Sequence, residues 1–325
     1  MSVSLNDIAK VSTNPTQKGL ILDLLRYSDL LSSLSFDTIE GLQITAKRYQ
    51  TLPTAGFRQI GGGYTESTGR TEDVPETLAL LGGDVKIDKV ADKVATVESP
   101  IVTNMKMKAK AVAFTFNDTF INGDHGVNPD AFEGLKKRVS NMPTRMTYDL
   151  YNTGTAGNAL MVKASNSNAM LFLDAFHSAI KFVSGATHIF VNENTLIQFG
   201  SVLRMLGLVY DTASLYDKIF DSFANVPLID VGLKSDKSTE IILSTEDPGG
   251  AQNNSTSAYV VRMDDDDGLR GIQLKGMDMQ VYDPLNGNET EGGPQYLRRI
   301  DWAVGLMNPS NYSICRIKGF KMAAS

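Results

Sequence analysis

Between two strand-like runs, this chain carries a stretch, Pro53 to Glu76, that a compact core cannot absorb. It holds Gly56, Gly61, Gly62, Gly63 and Gly69 among many threonines. Structureless loops longer than about 12–15 residues are uncommon inside compact domains and usually serve a function. On one side, Leu42, Ile44 and Ala46 alternate with Gln43, Thr45 and Lys47, so Leu42 to Tyr49 reads as a half-buried strand. On the other, Leu78 to Val97 contains Val85, Ile87 and Val90 and reads as the returning strand. The pattern predicts a long hairpin projecting from a body. A lone two-stranded hairpin is marginal in water, so this one has to rest on something else.

The body is predicted from periodicity. Val97, Ile101, Met105, Ala109, Val112, Phe116 and Phe120 form one apolar stripe, which predicts a long helix over Glu98 to Asn122. Pro100 suits its first turn, and Asn122-Gly123-Asp124 ends it with a residue type that tolerates a left-handed conformation. Residues 1–41 read as an extended segment with one short helix, Thr16 to Leu34. From about Ala159 to Leu285 short elements alternate. Helices are expected at Asn168–Ser184 and Asn194–Leu206. Strands are expected at His188–Val191, Val226–Val231, Glu240–Leu243 and Ala258–Met263. The chain's end reads as a hairpin. Ile300, Trp302, Val304 and Leu306 alternate, Asn308-Pro309-Ser310-Asn311 turns, and Tyr312, Ile314 and Arg316 return. Trp302 is expected in the core, and Cys315 is expected to pack as a small hydrophobe. The mixed order of elements predicts an α+β fold.

Composition narrows the function. The chain of 325 residues has room for one large or two medium domains. No apolar run reaches the ~18 residues of a membrane helix, and the N-terminus lacks a secretory signal pattern. A single cysteine excludes an internal disulfide, and the cytosol is the expected site of folding. The net charge of -6 argues against a sequence-specific DNA reader but suits a container wall that must not grip its contents.

Signatures of chemistry are missing. His125, His177 and His188 are scattered, without metal spacing. There is no Gly-x-Ser-x-Gly elbow, and Gly61-Gly62-Gly63-Tyr64 lacks the Gly-Lys-Ser/Thr ending of a phosphate loop. Asp264-Asp265-Asp266-Asp267-Gly268 fails the EF-hand pattern, because Met263 and Leu274 stand where ligands are needed; a solvated acidic loop is expected. No cofactor and no enzymatic activity are expected. Lys106, Lys108 and Lys110, and the run Lys136-Lys137-Arg138, read either as a solvated face or as weak contacts to phosphate or to another subunit.

Several segments together resemble the major capsid proteins of tailed bacteriophages, the Hong Kong ninety-seven-like fold. They are Leu80-Leu81-Gly82-Gly83-Asp84-Val85-Lys86-Ile87-Asp88-Lys89, Asn104 to Ala111, Thr119-Phe120-Ile121-Asn122-Gly123-Asp124, Phe132-Glu133-Gly134-Leu135-Lys136-Lys137-Arg138, and the C-terminal Asp301 to Leu306 with Ile314 to Gly319. In that family a long helix ends in a Gly-Asp turn, and a Gly-Leu segment follows. The resemblance implies an N-terminal arm over 1–41, an extended loop over 42–95, a peripheral domain with a spine helix over 96–150 and 291–325, and an axial domain over 151–290. It implies a subunit of homo-hexamers and homo-pentamers in an icosahedral virion head assembled in the host cytoplasm around double-stranded DNA held non-specifically, with no membrane partner. Because the arm begins near Met1, the comparison implies that scaffolding is a separate protein or none, and portal and decoration proteins are candidate partners. Arg58, Tyr64, Arg70 and Glu72 become candidate inter-subunit contacts. Lys106, Lys110, Lys136, Lys137 and Arg138 become candidate DNA-facing or inter-subunit cations. Some relatives crosslink a loop lysine to a neighbouring asparagine; Lys47 is the corresponding donor candidate, with no partner assigned. An encapsulin-like nanocompartment shell of the same fold is the alternative.

Overall fold

The computed structural model describes residues 3–11, 15–94, 99–151, 159–208, 211–215, 218–246, 254–275, 280–282 and 295–322. In chain order the elements are β1 (Val3–Ser4), α1 (Leu5–Val11), α2 (Pro15–Tyr27), α3 (Asp29–Ser33), β2 (Ser35–Ile39), β3 (Gln43–Thr51), β4 (Arg70–Thr77), β5 (Ala79–Asp88), α4 (Lys89–Val94), α5 (Pro100–Asn122) and α6 (Leu135–Ser140). There follow β6 (Thr147–Asp149), β7 (Leu160–Met161), α7 (Asn166–Val183), β8 (His188–Val191), α8 (Glu193–Met205), β9 (Asp211–Leu215), β10 (Lys218–Phe223), β11 (Val226–Asp230), β12 (Thr256–Val261), β13 (Arg270–Leu274), β14 (Gln280–Tyr282), β15 (Gln295–Met307) and β16 (Ile314–Lys321). The fold is α+β.

One sheet runs β1-β2-β13-β15-β14, with β5 on the other edge of β15. A second runs β6-β16-β12-β8-β11-β10-β9, with β7 also on β16. The spine helix α5 joins them through its apolar stripe. Phe116 stacks on Trp302 of the first sheet, with centroids 5.4 Å apart, and Phe36 lies 5.5 Å from the same indole. One turn along, Phe120 meets Phe190 of the second sheet at 5.5 Å. Alternation along β8 makes that sheet a septum between two cores. Phe190 faces the spine-helix core. Ile189 and Val191 face a second core with Phe172 and Phe176 of α7 and Phe199 of α8.

The predicted stripe of α5 is buried at Ile101, Met105, Ala109, Val112, Phe116 and Phe120; Val97 lies outside the described residues. Five other expectations change. Residues 1–41 are not an extended arm: α1 to α3 bury Leu5, Leu20, Ile21, Leu24, Leu30 and Leu31 in the main core, and β1 and β2 join the first sheet. The helix expected over Thr16 to Leu34 breaks at Ser28. There an extended residue caps α3 by accepting from the Leu31 amide at 3.0 Å, while its hydroxyl donates to Asn117 on α5 at 2.8 Å. The strand that returns along the hairpin is Arg70–Thr77, inside the stretch expected to be irregular. Ala79–Asp88 instead lies antiparallel to β15 from Val304 to Gln295. Glu240–Leu243 makes only an isolated bridge, Leu233 to Glu240; side chains take its next two carbonyls, with Asn122 donating to that of Ile241 at 2.8 Å and Asn192 to that of Ile242 at 3.3 Å.

The fifth change is at the C-terminal end. β15 and β16 are not a hairpin; each belongs to a different sheet. Strand alternation followed by a Pro-containing turn is the same local signal whether the chain folds back or crosses over. Here both strands find partners elsewhere, β15 on β13, β14 and β5, and β16 on β12, β6 and β7. The turn at Asn308 to Ser313 therefore carries the chain between sheets. Sheet membership also crosses the expected division at 151–290, since β13 joins the first sheet and β16 the second.

Candidate assembly surface

Among the described residues β3 and β4 pair only with each other, from Gln43 opposite Thr77 to Thr51 opposite Arg70. Pro75, opposite Thr45, is tolerated because such a strand has a free edge. The root is anchored by a small apolar cluster of Ile39, Ala46, Ile272 and Met307, with Ile44 and Leu78 against it. Beyond Ala46 the hairpin buries almost nothing. Tyr49, Leu52, Phe57, Ile60 and Tyr64 are all exposed, and Phe57 and Ile60 completely so. Arg58 sits over the Tyr64 ring at 5.2 Å and donates to the Gly62 carbonyl at 3.3 Å. Arg70 and Glu72 are exposed on β4. So Arg58, Tyr64, Arg70 and Glu72 all lie on the projecting part, and the large apolar side chains beside them were not singled out from sequence. Their signal was available: Leu52, Phe57 and Ile60 are large apolar residues in a stretch too glycine-rich to cover them.

The predicted basic residues divide. Lys106 is exposed on α5. Lys110 sits over the Tyr27 ring at 4.6 Å. Lys136 pairs with Glu246 at 2.7 Å, and Lys137 with Asp124 at 3.2 Å. Arg138 is buried and cannot face DNA or a neighbour; its guanidinium is bound to the Glu76 carboxylate by two nitrogens and to the Leu306 carbonyl at 3.1 Å. A run of three cations in sequence is thus one buried and two paired groups in space. Burial opposes charge on Glu246, but Arg316 and Lys136 together hold its pKa below the usual value. Asp124 is likewise held low, first by the Gly126 amide and then by Lys137.

The Gly-Asp and Gly-Leu segments meet. The Gly134 amide donates to the Gly123 carbonyl at 2.9 Å, and a Cβ on Gly134 would lie 2.5 Å from the Thr119 carbonyl oxygen. Gly123 has φ -54, so the left-handed conformation that glycine tolerates is not used here. It is glycine because a side chain there would strike the carbonyls of Phe132 and Thr119. The two glycines let the end of the spine helix and the start of α6 touch backbone to backbone.

Elsewhere the titratable groups are dispersed. His125 contacts the Ala131 carbonyl at 3.2 Å, and exposed His177 lies beside Phe223. His188 is buried, with its pKa lowered to about 4 by desolvation. Cys315 is buried and its thiol pushed up to about 12 by desolvation. In the acidic loop Asp264 pairs with Arg262 at 2.5 Å, and Arg270 donates to the Asp265 and Asp266 carbonyls. Among the described residues no cluster of His, Cys, Asp and Glu could hold a metal, and no helix is long and apolar enough to cross a membrane.

This geometry has counterparts. The family model described as major capsid protein GP7 matches residues 38–194, which hold the hairpin, β5, the spine helix and the Gly-Asp and Gly-Leu turns. Over those residues the chain is similar to that family of major capsid proteins. Solved structures extend the likeness in fold, the Hong Kong ninety-seven-like capsid fold, to the rest of the chain. The capsid of the native GTA particle is 15% identical, covers 96% of this chain and 92% of its own, and has a TM-score of 0.57. That of Mycobacterium phage Bobi is 11% identical, covers 93% and 91%, and has a TM-score of 0.57. The SrpI encapsulin of Synechococcus elongatus is 12% identical, covers 90% and 88%, and has a TM-score of 0.59. Comparison with curated proteins by sequence finds no match.

Proposed function

We propose that this chain assembles into pentamers and hexamers that close as the icosahedral head of a tailed phage around double-stranded DNA. The observation that carries the reading is the hairpin, whose large apolar side chains have no partner within the described subunit and whose strands pair with nothing else. Contiguous exposed apolar surface marks an interaction site, and heterologous contacts between copies generate closed rings. In this reading Arg58, Tyr64, Arg70 and Glu72, with Phe57 and Ile60, lie on an adjacent subunit. Within 42–95 the β3–β4 hairpin acts as the extended loop, the body around the spine helix, with β5, as the peripheral domain, and the α7–α8 core as the axial domain. Lys106 and Lys110 face the contents. The subunit acts by assembly and not by catalysis. Assembly takes place in the host cytoplasm, and separate scaffolding, portal and decoration proteins complete the virion.

Replacing residues 52–69 by an Asn-Gly turn tests this. The body should keep its circular dichroism spectrum and melting temperature, and closed shells should vanish from electron micrographs. Normal shells without the loop would sink the reading. The likeness to the SrpI encapsulin supports a second reading, a nanocompartment shell that encloses protein. Nuclease-protected DNA inside purified particles supports the phage head; protein cargo without DNA supports the nanocompartment.

A further inference from the structure

The root of the hairpin is tied to the place where the chain passes from one sheet to the other. Arg138 on α6 grips the Glu76 carboxylate of β4 with both terminal nitrogens, Nη2 to Oε2 at 2.8 Å. The same nitrogen donates to the Leu306 carbonyl at 3.1 Å, and Nε donates to the Glu133 carbonyl at 2.9 Å. Both side chains are buried. From β3, Arg48 donates to the carbonyls of Asn308 at 3.1 Å and Pro309 at 3.4 Å. Those carbonyls begin the turn between β15 and β16, and Ser313 braces it by donating to Asn308 Oδ1 at 2.5 Å. Gly305 of β15 has no side chain where the hairpin root crosses it; a Cβ there would lie 2.9 Å from the Thr77 carbonyl oxygen.

The apolar cluster around Ala46 holds the root in place, but hydrophobic contact is non-directional. Bidentate, charge-assisted bonds are directional. We propose that Glu76, Arg138 and Arg48 are positioning residues: a latch that sets the angle of the hairpin against both sheets at once. The inference rests on the hairpin being the arm that reaches a neighbouring subunit. Because the latch closes on the crossover turn, any rotation of one sheet against the other is passed to the hairpin. The direction of its reach, and so the curvature of the shell, is then set within the subunit before a neighbour is met.

Glu76→Gln keeps the volume and an acceptor but removes the charge. Arg48→Met keeps the buried pair and removes only the bonds to the turn, so it serves if the first variant fails to fold. In the unassembled full chain, hydrogen exchange of Gln43–Thr51 and Arg70–Thr77 should quicken about tenfold or more, while Ile314–Lys321 is unchanged. In electron micrographs the particles should spread in diameter or fail to close. Wild-type exchange in the hairpin of both variants would overturn the latch and leave the Ala46 cluster as the sole anchor. Faster exchange with unaltered shells would instead sink the hairpin as the inter-subunit arm and, with it, the role proposed for the latch in curvature.

Discussion

The hairpin tip and the spine-helix core use the same kinds of residue to opposite ends. Phe57 and Ile60 are 110% and 105% exposed, whereas Phe116 and Trp302 are at 0%. Burying such a side chain is worth about 1.5–3 kcal/mol. In the core that free energy is collected within one chain and stabilises the subunit. At the tip it is not collected within the subunit, and on the proposed function it is collected only against a neighbour. The lesson is a separation of roles: the core decides whether the subunit folds, and the tip decides what it does next.

The comparison breaks if core and tip substitutions act alike. Trp302→Ala should have the largest effect on the subunit, because the indole packs on both Phe36 and Phe116 and its loss leaves a cavity at the joint of sheet and helix. The expected cost is about 3–5 kcal/mol, read as a lowered denaturant midpoint. An unchanged midpoint would mean that the aromatic joint is not where stability resides.

The second prediction sharpens the same contrast with pH. Burial lowers the pKa of His188 in the folded chain to about 4, below the ordinary histidine value of 6.5. The unfolded chain therefore takes up the proton first as pH falls. The stability associated with neutral His188 is fully present above about pH 6.5 and is lost towards pH 4, at up to about 1.4 kcal/mol per pH unit. His188→Leu should flatten that part of the pH–stability curve measured by urea unfolding; an unchanged slope would exclude His188 as its source.

The smallest effect on stability should come from the tip. Phe57→Ser combined with Ile60→Ser should move the subunit's unfolding free energy by less than about 0.5 kcal/mol, as surface changes do. Light scattering should nevertheless show assembly lost or slowed. A large drop in stability would mean that the tip belongs to the subunit's own core.

Local pattern was enough to find the spine helix, because its stripe repeats over a 23-residue element and both neighbouring sheets take up that one face. It was also enough to find a projecting hairpin, since a stretch of glycine and threonine between two strand-like runs cannot form a core by itself. The Gly123 and Gly134 segments carried the family resemblance, although their reason, a backbone contact between them, is visible only in space. Pairing was decided by tertiary structure. The sequence made Leu78 to Val97 the returning strand, whereas Arg70–Thr77 returns along the hairpin and β15 draws Ala79–Asp88 into the body. The alternation of Ile300 to Leu306 and the turn after it could not tell a hairpin from a crossover, because a strand's period fixes which side chains share a face and says nothing of which strand lies beside it. The run Lys136-Lys137-Arg138 likewise reads as one basic patch in sequence. Glu246 and Glu76 come from distant parts of the chain to pair with it, and Asp124 from the turn before it; long-range charge pairing of this kind leaves no local trace.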